Sequence, residues 1–138
     1  MSVLVLIGRI IFAALFLTSS IGHLTRTKMM AGYAASKGVP LPWLSTFLSG
    51  ILILLGGLSL LLGIWADLGA LLVALFLFPT AILMHAFWKE PGDARMMEQT
   101  QFMKDSALGG AALILLGLIS YAGHGLGLTI TGPLFHLH

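Results

Sequence analysis

Five ionisable side chains interrupt stretches that are otherwise apolar: Arg9, His23, His85, Lys104 and Asp105. A charged group at membrane depth is costly, about 3 kcal/mol or more, so each of these calls for a partner or a task. A neutral imidazole accepts or passes a proton near neutral pH, and an ammonium offers its charge to an oxygen-bearing ligand. His85 and Lys104 are therefore the catalytic candidates, and Arg9, His23, His85, Trp88 and Lys104 the ligand-binding set. His85 and Trp88, three residues apart, are expected to project from one helix face. Thr46 and Ser49 stand near the same level. A plainer reading stands beside each role. His23 and Lys104 meet water and headgroups, Lys104 by snorkelling, and His85 bonds a neighbouring backbone group. Asp105 follows Lys104 on a helix, roughly 100° around it, so either pairs across helices. For Arg9 the structural expectation is a contact with Asp67, and the functional rival is an anionic lipid or a quinone oxygen.

These residues need helices to carry them. The 138-residue chain is 58% apolar and 9% charged, against about 25% charged in soluble domains, and its mean hydropathy is +1.02. A hydrocarbon core roughly 30 Å thick needs about 20 apolar residues per crossing. The expectation is an all-α integral membrane four-helix bundle in a single domain, residues 1–138. Its spans run over about 3–24, 43–66, 68–88 and 102–121, and a tail rich in Gly and His covers 123–138. Membrane strands need about 10 residues of alternating polarity, and runs such as ILILLGGLSLLLGIWA do not alternate. The first apolar segment lacks an A-x-A cleavage site and is read as a retained helix.

Arg26, Lys28 and Lys37 fall in the first connection, and Lys89 and Arg95 in the third, with Lys104 at its edge. The positive-inside rule places both connections in the cytoplasm and both termini outside, with Trp43 and Trp88 at the cytoplasmic interface and Trp65 at the far one. Antiparallel threading then gathers His23, His85 and Lys104 at one level. Small residues allow close helix approach in lipid. The expected stripes are Ala14, Thr18 and Gly22; Thr46 with Gly50 and Ser59 with Gly63; Ala70 and Ala74; Gly110 and Gly117. Pro79 removes a backbone donor inside span three and crowds the Leu75 carbonyl, which predicts a bend.

Several functions are disfavoured. The net charge of +2 comes without a run of like charge, so nucleic acid is not an expected partner. With no cysteine, neither a disulfide nor a dithiol relay is available. His124, His136 and His138 lack a nearby carboxylate or thiol, and no metal is expected. There is no P-loop, dinucleotide fingerprint or H-E-x-x-H.

The chain resembles the DoxX family of small four-helix bacterial membrane proteins over about residues 7–120. The resemblance is carried by Gly8 and Arg9, an apolar helix ending in Gly22 and His23, the Gly56–Gly57 pair ahead of Leu62, Gly63 and Ile64, the H-x-F-W of His85 to Trp88, Phe102, Lys104, and A-L-G-G at 107–110. It implies an inner-membrane protein tied to redox systems, as a membrane subunit or partner of a quinone-linked oxidoreductase. In two places the chain departs from the pattern. Many relatives have an acid just before the Gly pair, where this chain has Ile53 to Leu55, and many have Lys at the position of His23. The sequence names no cofactor, quinone being one candidate; membrane lipid is the expected partner, with quinone, redox-complex subunits and a homo-oligomer as candidates. The rival functions are a non-catalytic anchoring subunit and, with less support because no acid lies deep in a span, a small-solute transporter.

Overall fold

The computed structural model describes residues 2–137. Helix α1 spans Ser2–Thr25, α2 Thr27–Ser36, α3 Pro42–Leu62, α4 Ala66–Met84 and α5 Gly92–Ala122, with short 3-10 turns at Phe87–Lys89 and Gly123–Leu126. No strand occurs among the described residues. Four of these segments, all but α2, are long and apolar enough to cross a membrane. α1 packs on α3, α3 on α4 and α4 on α5, while α2 lies on α3.

The buried positions follow helical spacing. In α1 they are Arg9, Ala13, Phe16 and Ser20, steps of three and four that make one stripe. This corrects the expected stripe, since Ala14 and Thr18 are exposed. In α3 the stripe is Thr46, Gly50, Ile53, Gly56, Gly57 and Leu60, and in α4 it includes Ala70, Val73, Ala74, Leu77 and Ala81. Glycine allows close packing in α3, where a Cβ on Gly57 would come within 2.9 Å of Leu17. A Cβ on Gly110 or Gly117 would meet nothing within 4 Å in this bundle. Many large apolar side chains point outward, among them Val3, Leu4, Ile11, Leu55, Leu75, Ile82 and Ile114. That is the surface a bilayer, not water, solvates. Trp43, Trp65 and Trp88 are all exposed near helix ends.

Two expected connections contain helix. The first holds α2, which buries Thr27, Ala31 and Ala34, a helical spacing of four and three. In the third, α5 begins at Gly92, ten residues ahead of the apolar run at Phe102. The third candidate span runs over Ala66–Lys89, covering the expected 68–88, and its α-helix ends at Met84. His85 caps α4 with φ −119° and the chain turns away, so Trp88 does not share a helical face with it. Trp88 packs edge-on against Phe87 and Phe102.

The end of the bundle that holds Arg9 is closed by the tail. Arg9, 1% exposed, donates from Nε to the Leu60 carbonyl at 2.8 Å, from Nη2 to Leu61 at 3.2 Å and from Nη1 to Leu128 at 2.9 Å. A cation at the carbonyl end of α3 meets both its unsatisfied acceptors and its dipole. The expected Arg9–Asp67 contact is not formed. Asp67, fully buried in the first turn of α4, accepts the Leu134 and Phe135 amides at 2.9 and 2.6 Å. Each charge is matched by backbone of the tail. Gly63 makes this possible: its φ is +69°, and a Cβ there would lie 2.6 Å from Arg9 and 2.7 Å from Thr129.

Candidate functional site

At the opposite end, a cavity of about 750 Å³ lies between α3 and α4, with α2 across it and His23 of α1 at its wall. Met29, Met30, Tyr33 and Ala34 come from α2, and Leu75, Phe76, Pro79, Thr80, Leu83 and Met84 from α4. Carbon dominates the lining. Among the polar lining residues His23, Thr46 and Ser49 are hydrogen-bonded together, Ser45 donates to the Pro40 carbonyl, and His85 and Thr80 stand on the α4 side. Leu48 and Leu75 line the cavity and are about half exposed, so the groove is open to the protein surface. Pro79 leaves the Leu75 carbonyl without its helical donor at this wall.

His23 is placed by Gly50. A Cβ at Gly50 would come within 2.8 Å of the His23 Cβ, so only glycine lets α1 and α3 meet here. Nδ1 of His23 lies 2.9 Å from Ser49 Oγ and 3.2 Å from the Thr46 carbonyl. A carbonyl only accepts, and Ser49 Oγ itself donates to Thr46 O at 2.8 Å. The proton of the neutral ring therefore sits on Nδ1, and Nε2 carries the lone pair. The ring is steadied edge-on by Phe76, 5.7 Å between centroids.

His85 lies between two carboxylates of α5. Nδ1 is 2.7 Å from Glu98 Oε2, and Nε2 is 3.6 Å from Asp105 Oδ2. Glu98 uses its other oxygen to accept from Lys37 Nζ at 3.1 Å, and Lys37 also reaches Glu90 at 3.0 Å. Burial works against the Lys37 ammonium, and its hydrogen bonds to Glu90 and Glu98 outweigh that, holding its pKa above the ordinary lysine range. Glu98 and Asp105 are seven residues apart, two turns of one helix, so one face of α5 presents both to His85.

The structure thus brings His23 and His85 to one cavity and leaves the other expected residues apart. Lys104, expected in the same pocket, hydrogen-bonds Gln101 on its own helix with its side chain 54% exposed. It borders a smaller cavity between α1, α4 and α5. Being next to Asp105 in sequence turns it away from His85. Trp88 lies on the exposed turn after α4. Arg9 sits at the other end with its guanidinium on backbone carbonyls. Glu98 and Glu90 are absent from the residues that sequence reasoning singles out, and Lys37 enters there only as a positive charge of the first connection. The spacing of Glu98 to Asp105 is a usable signal, but only once α5 is extended back beyond Phe102. His124 packs against Gly132, and His138 lies outside the described residues.

Four apolar helices around a groove that opens onto their outer surface define a helical membrane protein. The DoxX family profile matches residues 4–86, a stretch that holds Arg9, His23 and His85. The inner membrane protein YphA of Escherichia coli (strain K12) is 27% identical over 113 residues, covering 82% of this chain and 81% of that protein. The inner membrane protein YqjF of the same organism is 33% identical over 114 residues, 80% of each chain. No solved structure matches significantly. The chain belongs to the DoxX family and, like these relatives, is an inner membrane protein.

Proposed function

We propose that the protein is a quinone-binding membrane component of a redox system, with the 750 Å³ cavity as its ligand site. The observation that carries this reading is the pairing of an apolar groove, open at Leu48 and Leu75, with an imidazole acceptor at its polar patch. An isoprenoid tail is solvated by lipid and by the groove alike, so it enters sideways from the bilayer. The ring then meets His23, whose Nε2 accepts a hydrogen bond from a quinol hydroxyl because Nδ1 is committed to Ser49 and Thr46. Met29 and Met30 of α2 adapt their shape to the ring. In this reading the end of the bundle carrying His23 and His85 faces the cytoplasm, supported by Arg26, Lys28, Lys89 and Arg95 at that end.

Purified protein in lipid nanodiscs, labelled with a photoreactive short-chain quinone, tests the proposal. Crosslinks are expected on α2, α3 and α4 within the cavity lining, and His23→Ala is expected to reduce labelling strongly while the protein still elutes as one species. Labelling spread over the lipid-facing surface and unchanged by His23→Ala overturns it.

A further inference from the structure

The smaller cavity, about 170 Å³, is lined by Ser19, Phe76, Thr80, Lys104 and Asp105 among others. Asp105 is only 7% exposed. Its nearest charged neighbours among the described residues are His85 Nε2 at 3.6 Å and Lys104 Nζ at 3.9 Å, both beyond hydrogen-bond reach. The Asp105 carboxyl accepts no hydrogen bond among the described residues, and it borders a half-open space with room for about five waters at roughly 30 Å³ each. Ser19 and Thr80 supply further polar partners. We propose that this space is a hydrated chamber and that Glu98, His85 and Asp105 form a proton-carrying array joining it to the aqueous end of the bundle. The inference does not depend on what fills the larger cavity.

The transfer balances within the array. It begins with a protonated Glu98 donating to His85 Nδ1, a proton on Nε2, and an ionised Asp105. The Glu98 O–H bond breaks as an N–H forms at Nδ1, and the Nε2 N–H breaks as an O–H forms on Asp105. The ring stays neutral and one negative charge moves from Asp105 to Glu98. That direction is favoured because Lys37 Nζ stands 3.1 Å from Glu98 Oε1, whereas the ammonium nearest Asp105 among the described residues is Lys104, at 3.9 Å and half exposed. The 3.6 Å gap between Nε2 and Oδ2 is closed by a small side-chain shift or bridged by one water. The charged and titratable groups facing His85 are Glu98 and Asp105 directly, Lys37, Glu90 and Lys104 behind them, and His23 across the larger cavity.

Infrared spectroscopy of the protein in lipid at neutral pH, in water and in deuterium oxide, tests the array without any added ligand. Wild type is expected to show a protonated-carboxyl stretch that shifts in deuterium oxide. That band should be lost in Asp105→Asn, moved in Asp105→Glu and kept in Glu98→Gln. Deuterium exchange of the band should slow several-fold in His85→Phe. Absence of the band in wild type, its survival in Asp105→Asn, or unchanged exchange in His85→Phe overturns the proposal.

Discussion

Glu98 serves His85 and Lys37 at once, with Oε2 2.7 Å from the imidazole Nδ1 and Oε1 3.1 Å from the ammonium. Lys37 ends α2, which crosses the larger cavity, and His85 ends α4, which walls it. One carboxylate on α5 therefore fixes both sides of the groove at its polar end.

Removing that carboxylate should loosen the groove. Glu98→Ala leaves Lys37 and His85 each short of a charge-assisted hydrogen bond, a loss of about 1.5–3 kcal/mol. A lower midpoint of thermal unfolding in detergent, with Lys37→Met giving a smaller drop of about 1 kcal/mol, is the expected result.

The Lys37 contribution has a defined pH dependence. Its folded pKa is raised, so the stabilisation is fully present below the unfolded lysine value of about 10.4 and is lost as pH rises through the higher folded value. The difference in unfolding midpoint between wild type and Lys37→Met should hold constant through neutral pH and close only in strong alkali. A gap that closes near neutrality contradicts the assignment.

Gly50→Ala places a methyl where the His23 Cβ stands, 2.8 Å away. The backbone of α1 must shift to admit it, which moves the imidazole from Ser49. Photoreactive quinone labelling should fall even though no lining side chain has been removed, and Gly57→Ala, packed against Leu17 away from the cavity, should leave labelling in place.

Arg9→Met strands the Leu60, Leu61 and Leu128 carbonyls, at about 1–3 kcal/mol for each group left buried and unpaired. Strong destabilisation in detergent, partly restored by Arg9→Lys, is expected. Asp67→Ala should act on the tail alone. Its release from the Leu134 and Phe135 amides would appear as faster proteolysis within residues 128–137, with the helices intact.

Orientation can be read by labelling, since the chain has no native cysteine. Ser36→Cys and Met97→Cys should react together from the cytoplasmic side, and Ile130→Cys from the other. Labelling of Ser36→Cys and Met97→Cys from opposite sides would separate the two ends of the proposed groove.

The four long apolar helices are legible in the sequence because their runs admit so little else: Ile51 to Leu62 holds only Gly56, Gly57 and Ser59 besides large aliphatics. The convergence of His23 and His85 is legible too, since antiparallel threading places successive helix ends together. Their true partners are not. Pairing of His85 with Glu98 requires α5 to be helical across its polar first turns, where composition alone suggests a loop. The fate of Arg9 depends on the tail, whose backbone supplies an acceptor to Arg9 and two donors to Asp67 with no side-chain signature that sequence could reveal.

The Arg9 guanidinium joins the first helix to Leu128, 119 positions further along the chain. During synthesis, α1 enters the bilayer long before its last hydrogen-bond acceptor has been made. Until the ribosome has passed Leu128, one arm of Arg9 lacks its final seat. Maturation of this end of the bundle is thus a late event, and a chain cut short ahead of Leu128 should insert but fail to ripen.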